Sequence, residues 1–261
     1  FMHEAAAEAA GFQAQYRLID IPGADQAKLR LVLEGIRLLG FSGVNVTFPY
    51  KAAVIPLLDS LSDGAKAIGA VNTIVVSGGK LIGYNTDATG FVRAFSEVLG
   101  SPGNSPVALI GAGGVGCAIA FAMADLGVRE LRLFDTAPER AEALAQRLRG
   151  RMSIQVLSDV AQALHGAGGV INATPIGMLP DRNSPVPPEL INGLAWVADA
   201  VYTPLWTPLL QAAKSRGARV MTGRELSICQ AVDAFRLFTG QEASREVIAK
   251  AFDAVIAQRT A

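Results

Sequence analysis

Six consecutive residues, Gly111-Ala112-Gly113-Gly114-Val115-Gly116, restrict the fold of this chain more than any other stretch. They carry the G-x-G-x-x-G spacing, and both flanks fit it. Before them Val107-Ala108-Leu109-Ile110 reads as a short apolar strand; after them residues 117–126 read as a buried helix that stops at Gly127. A strand that turns through glycines into a helix leaves unpaired backbone N–H groups at the positive helix end, where a pyrophosphate can sit. A second strand, Leu131-Arg132-Leu133-Phe134, ends in Asp135, at the spacing of an acid that takes up ribose hydroxyls. The pattern predicts a dinucleotide site built from Gly111, Gly113, Gly114, Val115, Gly116 and Asp135.

Beyond the linker Ser101-Pro102-Gly103-Asn104-Ser105-Pro106, apolar segments at 107–110, 131–134, 154–156, 168–171, 198–201 and 219–221 alternate with helical stretches. Six such segments read as a doubly wound sheet. Pro185-Val186-Pro187-Pro188 reads as a loop. The first hundred residues alternate too. Gln15-Tyr16-Arg17-Leu18-Ile19 is strand-like, residues 25–39 carry a helical apolar stripe that stops at Gly40, and Gly43-Val44-Asn45-Val46-Thr47 is a second strand. Pro49 is expected to open a helix bearing Lys51, Val54 and Leu57. Residues 71–76 and 81–84 flank Ser77-Gly78-Gly79-Lys80, a hairpin signal, and an amphipathic helix follows over 88–99. After Met221 only helices remain, at 224–238 and up to about Gln258, and these are expected to pack back on the first domain.

Composition removes several functional classes. With 23 basic and 23 acidic residues the chain has no electrostatic footprint for nucleic acid or an anionic membrane. Two cysteines, Cys117 and Cys229, exclude a disulfide framework and fit a reducing, cytoplasmic setting. No apolar run is long enough to span a bilayer and nothing resembles a signal peptide. His3 and His165 lack partners at metal-ligand spacing, so no metal site is expected. The chain opens at Phe1 rather than methionine and enters a helical pattern that Gly11 ends; it reads as a chain that has lost its beginning.

Polar residues gather at strand ends and helix starts, where α/β proteins place their sites. Four segments stand out: Asn45-Val46-Thr47-Phe48-Pro49-Tyr50-Lys51, Gly69-Ala70-Val71-Asn72-Thr73, Gly83-Tyr84-Asn85-Thr86-Asp87 and Asn172-Ala173-Thr174-Pro175-Ile176-Gly177-Met178. Lys51 falls in the first turn of the helix expected after Pro49, where a helix end disfavours a cation and eases loss of its proton, as a general base requires. Asp87, just before the helix expected from Ala88, reads as its N-cap.

Together with Asp199-Ala200-Val201-Tyr202-Thr203-Pro204 and Gln230-Ala231-Val232-Asp233-Ala234-Phe235, these segments resemble the shikimate dehydrogenase family, including its quinate/shikimate branch. The likeness runs in order over nearly the whole chain. It implies an α/β fold: an N-terminal α/β substrate domain (1–100, completed by 224–261) plus a doubly wound Rossmann dinucleotide-binding domain (101–223). It further implies an NAD-dependent oxidoreductase acting on shikimate or quinate. Lys51 matches the family's catalytic lysine and Asp87 the aspartate beside it. Thr47, Asn72, Tyr202 and Gln230 match residues that bind the ring acid; Asn172, Thr174, Ala200 and Gly223 match the nicotinamide side of the cofactor site. The implied partner is a small ring hydroxy acid, and the family allows a homodimer.

Two departures matter. The family's first strand and the serine-rich carboxylate-binding loop, which would precede Met2, are absent from this sequence. Members that use NADP carry Asn-Arg-Thr after the second cofactor-domain strand, whereas this chain has Asp135-Thr136-Ala137, with Arg140 a helical turn further on and expected to face solvent. An aspartate there accepts from ribose hydroxyls and repels a 2′-phosphate, so NAD is expected. Two alternatives stay open: a dehydrogenase of a related cyclic or amino-substituted polyol, and a non-catalytic ligand sensor.

Overall fold

The structure, a computed structural model, describes residues 1–260. The chain forms two compact units, Phe1–Thr86 with Ile228–Ala261, and Asp87–Ser227.

In the first unit, α1 (Met2–Ala9) is followed by α2 (Gln26–Leu38), whose Asp25 N-cap accepts from the Lys28 N–H at 2.8 Å. The buried residues of α2, Leu29, Leu33 and Ile36, recur at helical spacing and enter a core with Val54, Val71, Ile74 and Leu81. The strands are β1 (Gly43–Asn45), β2 (Ser60–Leu61), β3 (Thr73–Ser77) and β4 (Lys80–Tyr84), with α3 (Asp63–Ile68) between β2 and β3. They form a sheet in the order β1-β3-β4-β2, in which β2 runs parallel to β4 and the other pairs are antiparallel. The hairpin β3–β4 turns through Gly78 and Gly79 at φ +56° and +75°, the left-handed pair that a type I′ turn demands.

The second unit takes in α4 (Thr86–Val98) from Asp87 onward. The edge of the Phe95 ring meets Trp196 with centroids 4.8 Å apart, and the Arg219 guanidinium donates to the Leu99 carbonyl at 2.6 Å. These contacts hold residues 87–99 to the second unit, so the units change over at 86/87 and 227/228 rather than at 100/101 and 223/224. Then come β5 (Val107–Ile110), α5 (Gly114–Asp125), β6 (Glu130–Phe134), α6 (Pro138–Arg147), β7 (Ser153–Val156), α7 (Val160–Leu164), β8 (Gly169–Asn172), β9 (Trp196–Asp199), α8 (Pro208–Ser215) and β10 (Arg219–Met221). Their order, β10-β9-β8-β5-β6-β7, is parallel throughout. The winding reverses between β5 and β8, which opens a crevice at the carboxyl ends of these two strands. Strands β5, β8 and β9 are buried at every position, as a sheet covered on both faces requires. A 3₁₀ turn, Pro188–Ile191, takes up the end of the segment expected as a loop. Helix α9 (Gly223–Thr239) starts in the second unit and belongs to the first from Ile228, and α10 (Arg245–Thr260) packs on α1.

Several expectations need correction. Residues 15–19 form no strand. A ladder needs backbone partners, and here the Tyr16 N–H goes to the Glu4 carboxylate at 3.0 Å, while Ile19 lines a groove of about 430 Å³ together with Ile21, Leu33, Val44 and Val46. No regular helix opens at Pro49: residues 51–54 are turns and Ile55–Leu57 is 3₁₀. The Lys51 carbonyl accepts from Val71 N–H at 2.8 Å rather than from Ile55, whose N–H goes to Ala52, and Pro56 has no N–H to give. The helix-end argument for Lys51 therefore lapses. The second strand stops at Asn45 instead of Thr47, because the Thr47 carbonyl closes a turn with Tyr50 N–H. Asp87 is not an N-cap; α4 starts at Thr86 and Asp87 sits inside its first turn. Among the described residues no helix is long and apolar enough to cross a membrane.

Candidate active site

The glycine loop is shaped by close approach. A Cβ on Gly116 would collide with the Gly111 carbonyl, so this glycine lets α5 settle on the strand that feeds it. Gly111, at φ +102°, lies so near the β8 loop that a Cβ would stand 2.8 Å from Thr174 Cγ2 and 2.9 Å from the Ala173 carbonyl. Around Gly113 there is nothing within 4 Å of a Cβ position, and this N-cap glycine gives α5 no side-chain cap. At an uncapped helix start the first-turn N–H groups of Gly114, Val115 and Gly116 have no intrahelical acceptor, and a wide-open backbone there could admit a pyrophosphate. Asp135 leaves the end of β6 and joins the loop: one carboxylate oxygen accepts from Ala112 N–H at 2.6 Å, the other from Ala137 N–H at 2.8 Å. Arg140 is exposed on α6.

The ends of β8 and β9 are joined by a buried polar network. The Asn172 amide donates to Asp199 Oδ1 at 2.9 Å and to the Ile176 carbonyl at 3.1 Å, and its oxygen accepts from Thr174 N–H at 3.0 Å and Thr174 Oγ1–H at 2.7 Å. Asp199 Oδ1 also accepts from Val201 N–H at 2.9 Å, and Oδ2 from the Thr207 hydroxyl at 2.7 Å. Thr207 in turn caps α8 by accepting from Leu210 N–H. Burial lifts the Asp199 carboxyl to about 6, although these donors pull the other way. Ala200 and Val201 crowd the start of α9: a Cβ on Gly223 would lie 2.6 Å from the Ala200 carbonyl oxygen and 2.5 Å from that of Val201. No role was assigned to Asp199 or Thr207 from sequence. Thr207-Pro208 is a helix-start signal, but nothing local shows that its hydroxyl meets a carboxylate eight residues back.

In the first unit, Asn72 is buried and ties the sheet to the start of α4. Its Oδ1 accepts from Thr86 N–H at 2.8 Å and its Nδ2 donates to Thr86 Oγ1 at 2.9 Å, while Thr86 Oγ1 also meets Gln230 Oε1 at 3.4 Å. Thr73 donates to Asn72 Oδ1 and accepts from the Asn45 amide, whose oxygen takes the Tyr16 hydroxyl at 3.0 Å. The structure thus brings two expected substrate residues, Asn72 and Gln230, into one chain of uncharged donors and acceptors. Asn45, Thr73 and Thr86, which lie in the sequence segments noted above but carry no assigned role there, belong to that chain too. His3 lies beside it, stacked on Phe235 with Tyr16 tilted and Phe238 edge-on against it, and burial pushes its pKa down to about 4. Lys51 is half-buried and Thr47 exposed in this unit. Asp87, 5% exposed, and Tyr202, 42% exposed, belong to the second. No cluster of three or more His, Cys, Asp or Glu among the described residues is placed to hold a metal.

Comparison with known proteins identifies this arrangement. Residues 1–74 match the shikimate dehydrogenase substrate binding domain, and residues 95–177 match the family described as shikimate / quinate 5-dehydrogenase. A quinate/shikimate dehydrogenase (NAD(+)) of Corynebacterium efficiens is 43% identical over 250 residues, which is 92% of this chain and 88% of that one. A shikimate dehydrogenase (NADP(+)) of Streptomyces avermitilis is 41% identical over 92% of this chain and 85% of its own length. Among solved structures, quinate dehydrogenase from Corynebacterium glutamicum in complex with NAD superposes with a TM-score of 0.87 at 39% identity, covering 97% of this chain and 93% of that chain. On this extent of likeness, in sequence and in fold, the chain belongs to the shikimate dehydrogenase family.

Proposed function

We propose that the chain is an NAD-dependent dehydrogenase that interconverts shikimate and 3-dehydroshikimate, or quinate and 3-dehydroquinate, in the cytoplasm. Relatives of both cofactor preferences exist, so the choice of NAD rests on one observation: the Asp135 carboxylate, hydrogen-bonded to the glycine loop at Ala112. Each of its oxygens accepts one backbone N–H, and a carboxylate has about four acceptor positions, so some remain for ribose hydroxyls. A 2′-phosphate there would meet a fixed negative charge.

The roles of the residues follow from their chemistry. The N–H groups of Gly114, Val115 and Gly116 take the pyrophosphate, Asp135 the adenosine ribose, and Thr174 and Ala200 lie toward the nicotinamide end. A nicotinamide held there would supply the hydride acceptor for the ring carbon that bears the reacting hydroxyl. Lys51 takes the hydroxyl proton onto Nζ in the oxidative direction and returns it in the reductive one. Asp87, a buried carboxylate in the first turn of α4, is the second catalytic residue of this reading. Thr47, Asn72, Gln230 and Tyr202 provide uncharged donors and acceptors for the remaining hydroxyls and the carboxylate, which orient the ring without adding charge.

Initial rates measured by NADH absorbance test both parts of the reading. Shikimate or quinate should be oxidised, with NAD preferred over NADP by about a hundredfold in kcat/KM, as expected when a partly buried like-charge contact costs a few kcal/mol. Equal efficiency with the two cofactors overturns NAD as the cofactor; turnover of neither ring acid overturns the substrate.

A further inference from the structure

The geometry points to Asp199 as the positioning residue of the cofactor site: its buried carboxylate holds the β8 and β9 loops in register against the glycine loop, so that it sets cofactor affinity without touching cofactor. The inference rests on the dinucleotide reading above and concerns which residues make that site work.

Asn172 gives the first argument. It is fully buried, and both amide hydrogens and the amide oxygen are engaged within the protein. Nothing of this side chain is left for a ligand, so Asn172 shapes the loop that follows it rather than contacting nicotinamide. Its orientation is set by Asp199 together with the Ile176 carbonyl and the Thr174 N–H. A carboxylate oxygen accepts and cannot face the amide oxygen, so Asn172 Nδ2 must turn to Asp199 and its Oδ1 to Thr174. Thr174 and Ala173 are the groups that abut Gly111.

The second argument is that the same oxygen of Asp199 also takes Val201 N–H. This fixes the carbonyls of Ala200 and Val201, against which Gly223 and the first turn of α9 are seated. One atom, Asp199 Oδ1, therefore governs Thr174 beside the glycine loop and Ala200–Val201 beside Gly223. The other oxygen does a separate task, receiving the Thr207 hydroxyl that caps α8. This division makes positioning separable from plain stability.

The test is a fluorescence titration of NADH binding, which needs no ring acid, read beside thermal melts. Asp199→Ala should raise the NADH Kd about tenfold or more, the effect of losing buried charged hydrogen bonds. Asp199→Asn should restore it to within about threefold, because its carbonyl oxygen accepts the same two N–H groups and its amide donates to Thr207. Thr207→Val should lower the melting temperature through loss of the cap yet leave Kd within about threefold. If Asp199→Ala does not fold, Asn172→Ala breaks the same link from the other side and should weaken NADH by about tenfold. Variants that melt earlier but bind NADH like the parent overturn the positioning role, as does a Thr207→Val Kd that rises as far as that of Asp199→Ala. A parent protein that binds no NADH overturns the dinucleotide reading itself, which the other outcomes leave standing.

Discussion

Lys51 shows what a residue reveals in sequence and what it conceals. Its motif was legible, because Thr47, Pro49 and Lys51 stand within five residues; its local conformation was not. The Lys51 carbonyl is claimed by Val71, twenty residues on, and Pro56 cannot supply a helical N–H, so turns replace the expected helix. The catalytic proposal therefore stands on family membership and side-chain chemistry rather than on a helix end. Lys51→Ala should lower kcat by about a hundredfold or more, the lower range for a positioned acid–base group, with little change in NADH affinity. A near-normal kcat with a raised KM would make Lys51 a binding residue. Asp87→Asn keeps the shape and removes the charge, so it should slow turnover, read as a fall in kcat. Asp135 was readable because a glycine loop and the acid at the end of the next strand are related by fixed topology. Asp135→Asn should narrow the NAD preference to about tenfold or less by removing the repulsion toward a 2′-phosphate, measured as the ratio of kcat/KM values. The Asp199 network stayed hidden for the opposite reason: its members are 27 and 8 residues apart and meet only once the sheet is assembled.

At the scale of elements, the parallel strands could be read to within a residue or two; β5, β8 and β9, covered on both faces, stand out as apolar runs. Residues 15–19 carry strand-like residues just as clearly and form none, because a ladder is a property of two segments. The strand–loop–helix element from β5 to α5 yields a sharper distinction. Gly113 and Gly116 both belong to the motif, yet one faces open space and the other a backbone carbonyl. Gly113→Ala should fold with a stability loss within about 1 kcal/mol, the cost of alanine at an N-cap, while weakening NADH because its methyl group occupies the approach. Gly116→Ala must push α5 off the Gly111 carbonyl, and should lose about 1–3 kcal/mol of stability together with binding. Denaturant melts beside NADH titrations separate the two. Equal stability losses would mean that the loop can shift to accommodate either methyl.

At the scale of the whole molecule, two buried groups oppose each other as pH changes. His3, in the first unit, has its pKa lowered by burial to about 4 from 6.5 in the unfolded chain, so between these values the unfolded state binds the extra proton. Its contribution is complete above 6.5 and is lost as pH falls toward 4. Asp199, in the second unit, is raised by burial to about 6 from 3.8, so there the folded state binds the extra proton. Its contribution is complete below 3.8 and is lost as pH rises through 6. Each is worth on the order of 3 kcal/mol, with opposite sign over nearly the same window. In one global transition these two nearly cancel, and neither can be seen in the parent protein alone. Substitution exposes them. His3→Phe keeps an aromatic ring among Tyr16, Phe235 and Phe238 but cannot take a proton, so its unfolding free energy relative to the parent should improve steadily as pH falls from 6.5 to 4. Asp199→Asn should do the reverse and become relatively less stable over that interval, because only the His3 loss remains. Glu4, Asp181 and Glu246 also have lowered pKa values, but they lie at the surface, where solvent screens them, and they are common to all three proteins, so they drop out of the comparison. Denaturant unfolding at several pH values between 4 and 7 gives the three slopes. Parallel slopes in the three proteins would show that neither buried group controls the acid response; slopes that diverge in opposite directions would assign one half of it to each unit.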